Sequence, residues 1–126
     1  MTHRLRAVSW WLGVFIACHL TLGASQSSAD FNLKSYLELR ESPQVQAQLK
    51  DYFTGVGRGI FWTNAWLRAR NAPRLFCMPD ALALDEGIIQ SILDQEIRDA
   101  RRSYKSDTPV EFILVMGFAN KFPCPS

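Results

Sequence analysis

The chain has 126 residues, of which 48% are hydrophobic and 21% are charged, and its formal net charge is +2. This composition is typical of one small globular domain, because no stretch is rich enough in glycine, serine or like charges to remain unfolded. A disordered or repetitive protein is therefore excluded.

The first 29 residues have the pattern of a secretory signal peptide. Arg4 and Arg6 precede the apolar stretch AVSWWLGVFIACHLTLG, and small polar residues follow it up to SSA. Polar residues interrupt this stretch, and it falls short of the ~20 apolar residues that a membrane-spanning helix requires. We expect cleavage after Ala29, with Ala24 as the second choice, and no membrane association afterwards.

An exported protein of this kind would reside in the periplasm as a domain of residues 30–126. A lipoprotein attached through Cys18 is the alternative, although FIAC matches the lipid-attachment pattern poorly at Phe15.

The mature chain is predicted to be neutral. Of the fourteen Lys and Arg residues, cleavage removes Arg4 and Arg6, and the twelve that remain are equal in number to the twelve Asp and Glu residues. A neutral mature protein lacks the basic surplus that nucleic-acid binding requires, so nucleic acid is not an expected partner.

The cysteines predict one disulfide. Removal of Cys18 with the leader leaves Cys77 and Cys124 in an oxidising compartment. A bond between them would close a loop of about half the mature chain, worth roughly 4 kcal/mol in the chain-entropy model. It would also explain the ending KFPCPS, in which Pro123 and Pro125 hold Cys124 extended behind the last helix.

Four helices are predicted in chain order. Asn32 caps a short first helix that ends near Ser42, and the pair Ser42-Pro43 opens a long second helix that Asn71-Ala72-Pro73 stops. The third helix has an apolar stripe from Leu84 to Ala100, with acidic residues at its start and Arg101 and Arg102 at its end.

The fourth helix begins with a predicted capping box, Thr108-Pro109-Val110-Glu111, and continues through Phe122. No stretch of the mature chain alternates with a period of two. The predicted fold class is therefore all-α, a small bundle of about four helices stapled by one disulfide behind a cleavable signal peptide.

The mature chain contains no histidine, which removes the histidine-based hydrolase relays, most zinc sites and the commonest general base. We predict no catalytic residue, metal or cofactor, and a structural disulfide is favoured over a free-thiol nucleophile. The glycines of TGVGRG lack the strand and the Gly-Lys-Ser/Thr of a phosphate loop. They indicate close helix packing instead, with Gly117 of the last helix as a candidate neighbour.

The segment WTNAWLRARNAPR is the candidate partner-binding site. Trp62 and Trp66 are four residues apart on one helix face, beside Arg68, Arg70 and Arg74. Two interpretations remain open. The tryptophans could belong to the core with the arginines as a solvated collar, or the segment could form an interface, because tryptophan and arginine are frequent binding hot spots.

Three short motifs, in this order behind a signal peptide, carry a resemblance to a known family. They are YFTGV at residues 52–56, LFCMP at residues 75–79 and FPCP at residues 122–125. The chain resembles the Rap/Tai family of type VI secretion amidase immunity proteins over most of its mature length. The resemblance implies a small helical periplasmic domain, often a homodimer, that binds and blocks a peptidoglycan amidase effector delivered by a neighbouring cell.

Two functions follow as hypotheses. The first is an immunity-type protein that occludes an amidase cleft sterically and performs no chemistry of its own. The second is a small periplasmic stress-response or chaperone-like binding protein without a toxin partner. An amidase toxin gene beside this one would favour the first.

Overall fold

A computed structural model describes residues 31–100 and 104–125 of the chain. The predicted signal peptide, its cleavage site and Cys18 lie outside the described residues, and so do Arg101 and Arg102. The described residues form four α-helices and no strand, which confirms the all-α prediction. The helices are α1 (Leu33–Leu39), α2 (Gln46–Ala69), α3 (Glu86–Ala100) and α4 (Val110–Lys121).

Helix α3 is at the centre of the bundle, where it packs against both α2 and α4. Four residues of its apolar stripe, Ile89, Ile92, Leu93 and Ile97, are buried. The aromatic rings of Phe76 and Phe118 stack with centroids 4.9 Å apart. Burial of large side chains is the main favourable term in folding a domain of this size. The buried core comprises Leu33, Tyr36, Phe53, Phe76, Ile89, Ile92, Leu93, Ile97, Val110, Ile113, Leu114 and Phe118.

Several helix ends follow the local signals in the sequence. The side chain of Asn32 accepts a hydrogen bond from the Ser35 amide at 3.0 Å and caps α1, as predicted. Asp85 caps α3 in the same way, through the Ile88 amide at 2.8 Å. Helix α2 ends at Ala69, and Asn71 follows with a φ of 54°. Asparagine tolerates this left-handed conformation, so the predicted stop is confirmed.

The predicted start of α2 is wrong. Ser42 and Pro43 form a separate turn, in which the Val45 amide donates to the Ser42 carbonyl, and α2 begins only at Gln46. The Ser42 hydroxyl bonds to the Gln44 side chain at 2.8 Å and caps no helix. This turn, closed by the bond from the Val45 amide to the Ser42 carbonyl, takes the place of the predicted first turn of α2.

The predicted capping box of α4 is also wrong. Pro109 is itself the N-cap residue, and no side chain caps the helix. The Val110 amide donates to the Phe31 carbonyl at 3.0 Å, and Leu33 donates to the Thr108 carbonyl at 2.9 Å. The chain segment before α1 therefore pairs with the segment before α4, and this tertiary contact replaces the local cap.

Two of the helix glycines, Gly57 and Gly117, pack closely, but not against one another. A Cβ atom on Gly57 would lie 2.8 Å from the Ile89 side chain, and one on Gly117 would lie 2.9 Å from Ile92. Both neighbours belong to α3, so the suggested contact of Gly117 with the α2 glycines is replaced by contacts of each helix with α3. Gly55 and Gly59 face open space.

Candidate functional site

The predicted disulfide is present between Cys77 and Cys124, with an S–S distance of 2.08 Å and a Cα–Cα distance of 4.7 Å. Beside it, the Cys77 amide donates to the Phe122 carbonyl at 2.7 Å. The two contacts fix the chain after α4 to the loop that follows α2. They bring together the LFCMP and FPCP motifs, which are 47 residues apart at their cysteines.

Asn64 fixes the same loop from the other side. Its amide nitrogen donates to the Phe76 carbonyl at 3.0 Å, and its carbonyl oxygen accepts from the Leu75 amide at 2.8 Å and the Phe76 amide at 3.3 Å. The side chain is only 8% exposed. Asn64 was not among the predicted site residues, although its place on one helix face with Phe53 and Gly57 was the available signal.

A shallow recess of about 440 Å³ lies at these contacts. Charged side chains and residues of the LFCMP and FPCP motifs line it. Arg68 belongs to the last turn of α2, and Arg74 belongs to the loop that follows. Arg68 forms an ion pair with Asp80, in which the nitrogen and oxygen atoms are 3.1 Å apart. We call this surface the arginine recess. It is lined by Arg68, Arg74, Cys77, Met78, Pro79, Asp80, Pro123 and Pro125.

Both tryptophans of the candidate segment are exposed, Trp62 by 68% and Trp66 by 56%. The interpretation that one or both belong to the core is therefore wrong. The guanidinium of Arg70 lies 4.8 Å from the centroid of the Trp66 ring, a cation–π contact that holds both groups at the surface. Large exposed aromatic side chains on one helix face are typical of an interaction surface.

The structure thus divides the five predicted partner-binding residues into two groups. Arg68 and Arg74 line the arginine recess. Trp62 and Trp66 lie on the exposed face of α2, and Arg70, directly after α2, lies over the Trp66 ring. The disulfide, three prolines and the Asn64 hydrogen bonds restrict the backbone beneath the first group.

A separate polar network lies between the end of α3 and α4. The buried carboxylate of Glu96, 5% exposed, accepts from the Tyr104 hydroxyl at 2.8 Å and from the Asn120 amide at 2.9 Å. Burial first, and the hydrogen bond to Glu96 second, raise the pKa of Tyr104 from 10.0 to about 12. The network joins the segment before α4 to both helices, which is a structural role.

Among the described residues, no group of three or more Cys, Asp or Glu side chains is placed to hold a metal ion. Every buried side-chain nitrogen or oxygen in the described ranges has a hydrogen-bond partner. No helix in residues 31–100 or 104–125 is both long and apolar enough to cross a membrane. The candidate functional surfaces of the described residues are the arginine recess and the exposed face of α2 that carries Trp62 and Trp66.

Comparison with protein-family models, with curated proteins and with solved structures found no match to this chain. The fold and the site define its class as a small all-α, disulfide-stapled protein with an exposed aromatic and cationic surface.

Proposed function

We propose that this chain is a periplasmic immunity-type protein that binds a peptidoglycan amidase effector delivered by type VI secretion and inhibits it sterically. The observation that carries the proposal is the arginine recess. It combines Arg68 and Arg74 of the predicted binding segment with the two cysteine motifs on which the family resemblance depends. The specific partner follows from that resemblance alone.

The restrained backbone and the charge of the arginine recess suit a binding role. A surface held by a disulfide and by the Asn64 hydrogen bonds loses little conformational entropy on binding. The guanidinium groups of Arg68 and Arg74 can form bidentate hydrogen bonds with carboxylates. Carboxylates at the mouth of an amidase cleft would accept such hydrogen bonds, and a chain bound there would exclude substrate.

The direct test starts from the genomic neighbourhood, where the proposal predicts a gene for a peptidoglycan amidase toxin beside this one. We expect the purified chain to bind that amidase and to stop its hydrolysis of cell-wall peptides. Replacement of Arg68 or Arg74 by alanine should weaken binding by roughly 2 kcal/mol, the scale of an interface hot spot. Lys105→Ala, at an exposed position in another segment, is the matched control and should bind as the parent does.

Alanine variants of Trp62, Trp66 and Arg70 complete the set of five. Each variant is also unfolded in urea, so that a loss of stability is not taken for a loss of binding. If all five variants fold and bind the amidase as the parent does, the segment is not the binding site. If the parent neither binds nor inhibits the amidase but protects unfolded periplasmic proteins from aggregation, the stress-response or chaperone-like function replaces immunity.

A further inference from the structure

The outer face of α2 carries large exposed side chains at a regular spacing. Four of them recur every four residues, so they lie along one side of the helix, opposite its buried face. The last of them follows the end of α2, but its amide still donates to the Trp66 carbonyl at 3.2 Å, which continues the helical pattern. We call this set the Arg-Trp ladder, and its members are Arg58, Trp62, Trp66 and Arg70.

The Arg-Trp ladder belongs to a segment whose charges are all positive. Residues 52–79 contain four arginines and no lysine, aspartate or glutamate, although the mature chain is predicted to be neutral overall. Arg68 of this segment is paired with Asp80. Within residues 31–100 and 104–125, neither Arg58 nor Arg70 forms an ion pair. The two guanidinium groups at the ends of the ladder are therefore available to an anionic partner.

The middle of the Arg-Trp ladder is apolar and protrudes from the helix. Trp62 is 68% exposed and Trp66 is 56% exposed. The glycines of the same side, Gly55 and Gly59, add no side chain around them, and nothing lies within 4 Å of the position that a Cβ would take at either glycine. The two indole rings thus form a ridge and not the wall of a groove.

Every polar side-chain group of the Arg-Trp ladder is a hydrogen-bond donor. An indole N–H donates and accepts nothing, and a guanidinium carries five donors and no acceptor. A partner for this surface must therefore supply acceptors and negative charge for both arginines and an apolar environment for the rings between them. The headgroup region of an anionic bilayer supplies all three, because its phosphates accept from guanidinium groups and tryptophan rings partition into it.

The shape of the Arg-Trp ladder also favours a bilayer over a protein partner. Protein hot spots fill pockets that the other protein provides residue by residue, whereas the headgroup region admits a protruding ring at any position. The ladder extends over about 18 Å of helix axis, at 1.5 Å per residue. With the helix in the plane of the surface, both rings enter together while the long arginine side chains reach the phosphates beside them.

We infer that the Arg-Trp ladder docks the chain reversibly on an anionic lipid surface, with Trp62 and Trp66 in the headgroup region and Arg58 and Arg70 against the phosphates. This inference departs from the expectation, drawn from the sequence, of no membrane association, because a surface contact requires neither a spanning helix nor a lipid anchor. The arginine recess is lined by other residues, and the inference does not depend on the amidase.

The test uses the tryptophan fluorescence of residues 30–126, the predicted mature chain, which contains every described helix. Trp62 and Trp66 are its only tryptophans, because Trp10 and Trp11 belong to the leader. The anionic probe is a vesicle of equal parts phosphatidylcholine and phosphatidylglycerol, and the neutral probe is a vesicle of phosphatidylcholine alone. We expect the anionic vesicle to shift the emission to shorter wavelength and to shield the rings from an aqueous quencher, and the neutral vesicle to do neither. Salt of about 0.5 M should weaken the binding, because it screens exposed charges.

Co-sedimentation with the anionic vesicles measures the variants. Trp62→Ala and Trp66→Ala should each weaken binding by roughly tenfold or more, because each removes a large apolar surface from the contact. Arg58→Gln and Arg70→Gln should each weaken it by about fivefold, the attraction of one arginine to an anionic surface. All four side chains are exposed, so we expect the variants to keep the unfolding temperature of the parent.

Matched controls come from other helices. Phe112→Ala, at an aromatic residue of α4 that is 52% exposed, and Arg98→Gln, at an exposed arginine of α3, should bind the vesicles as the parent does. The inference is overturned if the controls weaken binding as much as the ladder variants do, or if the ladder variants bind as the parent does.

Two further outcomes would also overturn the inference. One is that the parent binds neither vesicle, or binds both equally. The other is that the anionic vesicle leaves the tryptophans unshielded while a purified amidase shields them, which would assign the Arg-Trp ladder to a protein interface. The vesicle assay contains no amidase, so its result is independent of the proposed inhibition.

Discussion

The side chain of Asn64 hydrogen-bonds to both backbone groups of Phe76, donating to its carbonyl at 3.0 Å and accepting from its amide at 3.3 Å. Phe76 is fully buried and stacks on Phe118 of α4. One amide side chain near the C-terminal end of α2 therefore positions the loop that carries Cys77. The arginine recess depends on this contact as much as on the disulfide.

Replacing Asn64 by alanine should lower the free energy of unfolding by about 3 kcal/mol. The substitution leaves the buried backbone groups of Phe76 without partners, and each such group costs roughly 1 to 3 kcal/mol. Urea unfolding measures the change, and Ser91→Ala, at an exposed position of α3, should stay within about 0.5 kcal/mol of the parent. An Asn64→Ala protein as stable as the parent would show that water or a shifted loop satisfies these groups.

Loss of the disulfide should lower the free energy of unfolding by a similar amount. Reduction, or replacement of Cys77 and Cys124 together by alanine, should lower the stability by roughly 4 kcal/mol in the chain-entropy model, because the closed loop is long. The intact mass of the oxidised protein should be two hydrogens below that of the reduced protein. Thiols that react with an alkylating reagent before any reductant is added would contradict the bond.

Glycines two residues apart in α2 should respond to alanine in opposite directions. At Gly57 a methyl group would collide with Ile89, and we expect Gly57→Ala to destabilise the protein by about 1 to 3 kcal/mol. At Gly59 the site is open, so Gly59→Ala should stabilise the protein by up to about 1 kcal/mol through helix propensity. Thermal unfolding of both variants makes the comparison. Equal effects at the two sites would refute the assigned packing of α2 on α3.

The bond between Tyr104 and Glu96 should weaken at alkaline pH. The pKa of Tyr104 is about 12 in the folded protein and ordinarily 10.0, so folding favours the protonated hydroxyl. Its stabilising contribution is therefore fully present below pH 10 and is lost as the pH rises through 12. Comparison of the parent with Tyr104→Phe across this range tests the sign. The stability difference between the two proteins should be largest below pH 10 and should shrink above it. A difference that is constant with pH would exclude this role for the hydroxyl.

Local sequence signals predicted those features that neighbouring residues determine. Asn32 caps α1 because its side chain reaches an amide three residues ahead, and Asn71 ends α2 because it tolerates a left-handed backbone. The spacing of apolar residues predicted four helices for the same reason, since a helix face is a property of positions three and four apart. The parity of the cysteines sufficed for the disulfide between Cys77 and Cys124.

The tertiary structure alone decided which contacts replace local ones and which side chains stay exposed. Thr108 does not cap α4, because the segment before α1 lies close enough to supply the Phe31 carbonyl to the Val110 amide. Trp62 and Trp66 could equally have been core residues by composition and spacing. They are exposed because Gly57 and Asn64, on the opposite face, bring α2 against α3 and the Phe76 loop. A helix has one face to bury, and only the packing of its neighbours selects that face.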